Sequence, residues 1–171
     1  VPTNEADDTV AVSNITVDLP ARDVLSIEEA MAMFESGENE LEKIRASDAS
    51  EEEVRRAVSK VMRANIQLSV ARLSEINSKD DHIEITVQSM RIGETILVSI
   101  PVEPFVELAQ AVKERSGSAN TVFSGFSNGH ANYLATDIAF EEGGYEVSVS
   151  VFAPGSAELA IGASVEAVNE V

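Results

Sequence analysis

Residues 124–136 read SGFSNGHANYLAT and bring together two serines, two asparagines, a histidine and a tyrosine. Within them Gly125-Phe126-Ser127-Asn128-Gly129 fits the G-x-S-x-G pattern of a hydrolase nucleophile elbow. There a serine sits on a sharp strand-to-helix turn and is activated by a histidine that an acid orients. His130 follows at once, but the order is wrong. An elbow needs a helix after the serine, then an acid, then the histidine; here Asn-Gly opens a turn and Asp137 comes after His130. Ser127 is therefore a turn serine and not a nucleophile. Two further oxygen-bearing side chains stand in comparable places: Glu103 in PVEPF (101–105) and Tyr133 in the stretch above. Each has an ordinary reading. Glu103 could be a carboxylate favoured by a helix N-terminus, Tyr133 a half-buried aromatic with a paired hydroxyl, and His130 a loop histidine.

Composition narrows the chemistry. With no cysteine, the chain can offer neither a thiolate nucleophile nor a thiolate metal site, and it has no disulfide framework. Its only histidines are His82 and His130, so a three-histidine mechanism would have to draw on residues outside these 171. Thirty acidic against twelve basic residues leave a net charge of −18, which argues against nucleic acid or an anionic membrane as partner. The 44% hydrophobic content is that of a globular chain, one large domain or part of a larger one. No apolar run approaches the ~20 residues of a membrane span, and no basic-then-apolar leader opens the sequence. A soluble protein is expected; the compartment stays open, secretion or a periplasmic location included.

The elements that must position these residues follow from periodicity. Residues 1–9 read as a polar tail and 10–19 as a strand ended by Pro20. Residues 26–77 predict a helical hairpin: Ser26-x-x-Glu29 and Ser50-x-x-Glu53 are capping boxes, each followed by apolar residues at helical spacing. Gly37 is expected to kink or interrupt the first helix. From residue 82 the period changes to two. HIEITVQSMRIG (82–93) predicts a strand, ETILVSIPV (94–102) a strand buried on both faces, and TVFSGFS (121–127) and YEVSVSVF (145–152) two more. Helices are expected at 104–115, between Pro104 and Gly117, and at 156–170 after Pro154-Gly155. The fold class is thus α/β: a mixed sheet with a βαβ unit, flanking helices and a helical hairpin inserted near the N-terminus. The expected division is a tail and strand over 1–25, the hairpin over 26–80, and an α/β part over 81–171. In the βαβ unit, 101–105 and 127–136 emerge at the carboxyl ends of neighbouring parallel strands, the edge where such folds place ligands.

Four segments taken in order, GETILVSIPVEPFVELAQAVKERS, TVFSGFSNGHANYLAT, EEGGYEVSVS and FAPGSAE, resemble the C-terminal part of the catalytic domain of the neutral/alkaline (non-lysosomal) ceramidase family. The match spans roughly residues 90–158; the hairpin carries little of it. The resemblance implies a zinc amidohydrolase that cleaves the N-acyl amide of a ceramide-type lipid through a metal-activated water. It implies Glu103 and Tyr133 as two zinc ligands, the former from the family's Pro-Gly-Glu segment, the latter as the second tyrosine of its Asn-x-Tyr-x-x-Tyr motif. Asn128 and His130 would be nearby substrate-contacting or supporting groups. The pattern departs in two places: Val102 replaces the family's glycine, and His130 its first tyrosine. The family's two zinc-binding histidines have no counterpart, and His82 lies outside their motifs. Zinc is therefore expected only in the complete protein, with the N-terminal half as partner and the isolated chain inactive. The other reading open at this point is a non-catalytic α/β binding or oligomerisation module, with the acidic hairpin as the contact between copies.

Overall fold

The computed structural model describes residues 10–79, 81–118 and 120–171; the polar tail expected at 1–9 lies outside the described residues. The chain divides into two compact units. One takes in the described residues up to Arg22 and those from Ser78 to Val171; the other is Asp23–Asn77.

The first unit is a mixed sheet in the order β1-β3-β4-β6. Strand β1 (Val10–Pro20) pairs antiparallel with β3 (His82–Ile92) along its whole length, Val10 opposite Ile92 and Pro20 opposite His82. Strand β2 (Ser78–Lys79) forms a short antiparallel ladder with the start of β3. Strand β4 (Thr95–Ser99) returns antiparallel to β3, and β6 (Thr121–Ser124) lies parallel to β4. The crossover between them carries α3 (Val106–Ser116), so strand, helix and parallel strand form the expected βαβ unit. The last helix, α6 (Ser156–Asn169), packs against β1, β3 and β4 and against α3. Its buried face is made of small residues, Ala157, Ala160, Ala163, Ser164 and Ala167, and the strands it packs against bury Leu19, Ile83, Val87 and Val98.

Several boundaries differ from expectation for local reasons. The strand expected over 94–102 stops at Ser99 and is not buried on both faces: Ile96 and Val98 are covered, Leu97 is half-buried and Thr95 exposed. The helix expected from Pro104 begins at Val106, because Glu103–Pro104 form a two-residue strand, β5, that pairs parallel with β7 (Tyr133–Leu134). Gly117 ends that helix at φ 66°, as its lack of a Cβ suits. The largest correction is at 145–152. The period-two pattern predicts a strand, but Tyr145–Val149 form a short helix, α5, preceded by α4 (Asp137–Glu142). Side chains reach the carbonyls of its last residues where a strand would use a ladder: the Arg22 guanidinium donates to the carbonyls of Val147 (2.6 Å) and Ser148 (3.2 Å), and Asn132 Nδ2 to that of Val149 (2.7 Å). Gly143 and Gly144, at φ 76° and 123°, supply the turn into it.

The second unit is the hairpin, α1 (Ile27–Arg45) and α2 (Glu51–Asn77). Both capping boxes form: Ser26 and Ser50 exchange hydrogen bonds with Glu29 and Glu53, which also place carboxylates at the positive ends of the dipoles. Gly37 neither kinks nor interrupts α1, which runs unbroken. It is buried against α2, where an added Cβ would sit 3.4 Å from Val61 Cγ2. That is room for a methyl group and little more. Gly37→Ala should therefore raise the hairpin's stability by about 0.5–1 kcal/mol through helix propensity, while Gly37→Leu should lower it by about 1–3 kcal/mol through overpacking. Chemical denaturation of the two variants distinguishes this contact from a hinge, at which both would be destabilising.

Candidate functional site

The loops at the carboxyl ends of β4 and β6 are laced into each other by main-chain hydrogen bonds. Segment 100–105 runs between two stretches of the loop that follows β6. On one side the amides of Phe126 and Ser127 donate to the carbonyls of Val102 (2.8 Å) and Ile100 (3.0 Å). On the other, the amide of Ala131 donates to Pro101 (2.8 Å), and those of Glu103 and Phe105 to Asn132 (2.9 Å) and Leu134 (3.2 Å). The two segments approach closely enough at Gly125 to exclude a side chain: a Cβ there would lie 2.6 Å from Pro104 Cδ and 3.0 Å from the Val102 carbonyl. The loop achieves this wrap with three non-glycine residues at positive φ: Phe126 (51°), Asn128 (65°) and Asn132 (76°). Backbone strain of this kind persists only where surrounding structure enforces it.

The outcome is that Glu103 and Tyr133, thirty positions apart in sequence, become register partners on the β5–β7 ladder. Neighbouring strands lie about 4.8 Å apart and register partners project to the same side. The Glu103 carboxylate beside it holds the Tyr133 phenol above the ordinary tyrosine range; burial and the negative charge of Glu146 add to the effect. The Tyr145 ring meets the Tyr133 ring edge-on, with centroids 6.3 Å apart and planes at 79°.

Two side chains fix the Tyr133 backbone from behind. Asn132 uses both ends of its amide, Oδ1 accepting from the Tyr133 amide (2.7 Å) and Nδ2 donating to Val149. Ser150, fully buried, donates its hydroxyl to the Tyr133 carbonyl (2.9 Å) and accepts from the Phe152 amide (3.2 Å). Sequence reasoning missed Asn132, Tyr145, Glu146 and Ser150. The last three lie in the segment expected to be a strand, and no local spacing ties them to Tyr133.

His130 is exposed and stacks on Phe126 with ring centroids 5.0 Å apart. Asn128 is exposed and reaches Gln88 at 3.4 Å. Ser127 shares a hydrogen bond with Ser124 (2.8 Å) and donates to the Gly125 carbonyl (3.1 Å); no helix follows it, in keeping with a turn serine. His82 opens β3 opposite Pro20 and Lys79. Among the described residues, no group of three or more His, Cys, Asp or Glu side chains is placed to hold a metal ion. Glu103 and Tyr133 thus offer two oxygen donors, which suit zinc as part of a shell but not as a whole one.

No family model matches the sequence, and no curated protein matches it. Among solved structures the chain is similar to the neutral ceramidase from Pseudomonas aeruginosa, at 24% identity and a TM-score of 0.43, over 52% of this chain and 16% of that one. It is likewise similar to a ceramidase complexed with C2, at 25% identity and a TM-score of 0.44, over 52% of this chain and 14% of the other. The chain therefore spans less than a fifth of the length of these neighbours. No helix among the described residues is long and apolar enough to cross a membrane.

The pairing of Glu103 with Tyr133 has a direct spectroscopic test, because the chain holds two tyrosines and no tryptophan. In a Tyr145→Phe background, ultraviolet titration reads Tyr133 alone, and its ionisation should lie above that of a free tyrosine. Glu103→Gln should bring it down toward the ordinary range. The sign for stability follows: a phenol pKa raised by folding contributes stability that is complete below the unfolded value of about 10 and is lost as pH rises through the folded value.

Proposed function

We propose that this chain is part of a ceramidase-like zinc amidohydrolase, in which Glu103 and Tyr133 are two of the metal ligands. What carries the reading is the meeting of the Glu103 carboxylate and the Tyr133 phenol on adjoining parallel strands, at the loop edge where an α/β fold presents ligands. The ordered resemblance of residues 90–158 to the family supports it. A zinc ion held there would polarise an amide carbonyl and bring a bound water's pKa down to about 7.

The chain's own contribution is placement and charge. Tyr133 would have to lose its proton to serve as a ligand, so metal binding would release a proton and depend on pH. Glu103 supplies one negative charge and Tyr133 a second on ionisation, a pair suited to a divalent ion whose remaining donors are neutral imidazoles. Asn132 and Ser150 hold the Tyr133 backbone in place and would orient the phenol as outer partners of a ligand do. Tyr145, exposed and packed edge-on against Tyr133, presents aromatic surface beside the pair, fitting an acyl or other lipid-like portion of an N-acyl substrate. Asn128 and His130, on the same loop as Tyr133, are the groups we assign to the substrate's polar end. The nitrogen donors belong to an N-terminal half of the same protein.

In the protein that carries both halves, Glu103→Ala and Tyr133→Phe should each lower zinc content measured by atomic absorption. N-acyl amide hydrolysis should drop by more than the roughly 10–100-fold that loss of a ligand's outer partner costs. Unchanged zinc stoichiometry in Glu103→Ala removes this residue from the coordination shell and the proposal with it.

A further inference from the structure

The hairpin Asp23–Asn77 is one layer of helices with a seam it does not close. Apolar residues recur at alternating spacings of three and four along both helices: Ile27, Ala30, Phe34, Gly37, Leu41 and Ile44 on α1, Val54, Ala57, Val61, Ala64, Leu68 and Ala71 on α2. This is the a/d pattern of a coiled coil, and the contacts agree with it, Gly37 lying against Val61 and Ala30 against Leu68 and Ala71. Yet Phe34, Leu41, Ile44, Val54 and Val61 are only half-buried. Two helices cover one side of such a seam; bundles of four cover both.

The two flanks of the seam differ in charge. On one flank Glu40 of α1 and Lys60 of α2 form an ion pair that bridges the helices within the chain. The opposite flank, read from the same repeat, carries Glu28, Glu35, Glu38 and Glu42 with Arg45 at its end on α1, and Arg55, Val58, Met62 and Arg72 on α2. The α1 row is mainly acidic; the α2 row carries no acidic residue among these and includes Met62, 62% exposed. Two of the five basic residues of α2, Arg55 and Arg72, stand in this row, so the chain itself holds a counterpart to its acidic row. The Glu40–Lys60 pair also fixes the level: positions whose numbers sum to about 100 lie side by side, which sets Glu28 near Arg72 and Glu42 near Arg55.

We infer that this flank is a self-association surface, on which a second copy of the chain lays its α1 beside α2 and its α2 beside α1 about a twofold axis running along the hairpin. The product is an antiparallel four-helix bundle with Phe34, Leu41, Val58, Val61 and Met62 inside and acidic rows against the rows that carry Arg55 and Arg72. A twofold contact is self-complementary by construction, as these rows are. The chain's charge of −18 opposes association in general, so the pairing depends on this local match and not on net attraction.

The test is sedimentation of the 171-residue chain, whose monomer is 18.3 kDa, with two charge-reversed forms. The unchanged chain should sediment at twice the monomer mass. Glu35→Lys/Glu38→Lys/Glu42→Lys and Arg55→Glu/Met62→Glu/Arg72→Glu should each sediment as monomers, because like charges now face each other. An equimolar mixture of the two should return to the dimer, since each then offers the row the other lacks. Met62→Ala, which leaves the charges alone, should weaken the dimer roughly tenfold. Far-ultraviolet circular dichroism reports whether each form keeps its helices. A monomeric unchanged chain overturns the inference. So does a dimer that both charge-reversed forms retain, which would place the contact on another surface or another partner on this one.

Discussion

The short parallel ladder joining Glu103–Pro104 to Tyr133–Leu134 is the constraint around which the candidate site is built. It is only two residues long, and a ladder of that length has little strength of its own. Its persistence comes from the hydrogen bonds on both sides of segment 100–105 and from the exclusion of any side chain at Gly125. Three left-handed residues in one loop are the conformational cost of that wrap, offset by buried main-chain bonds that would otherwise go unmade. The arrangement turns two weakly specific oxygens into a defined pair.

Support for that pair reaches back to the start of the sheet. Tyr133 is held by Ser150 and Asn132; Asn132 holds Val149; the carbonyls just before Val149 are held by Arg22, at the end of the segment that contains β1. Burial pulls the Arg22 guanidinium below its usual value, although it still donates to both carbonyls. The candidate site therefore rests on residues contributed from near both ends of the described chain, although its two oxygens lie in its second half.

What the sequence disclosed, and what it hid, follows range of interaction. The capping boxes at Ser26 and Ser50 are local hydrogen bonds between residues three apart, and they formed as written. The βαβ unit announced itself through two apolar strands and a helix between Pro104 and Gly117. The α5 helix did not, because its alternation of valine and serine satisfies a strand pattern equally well. What decides its conformation is a guanidinium 125 residues away and an amide 17 residues away. Gly37 misled for a related reason: a glycine in a helix looks like a break until the partner helix against it is known. Glu103 and Tyr133 were legible only as a motif resemblance. Their ladder is too short to leave a period, and the residues that brace it share no spacing with them.

The route of the chain around His82 has its own consequence. It leaves the sheet after Pro20, which is paired with His82 on one side, and re-enters through Lys79, which is paired with His82 on the other. Departure and return thus flank a single residue of β3, and the 55-residue unit Asp23–Asn77 is inserted between them. A segment grafted at such a junction can be lengthened, exchanged or shed at little entropic cost to the host, since its ends are already held together. The sheet and its loop pair are free to diverge on one evolutionary schedule while the inserted helices change on another.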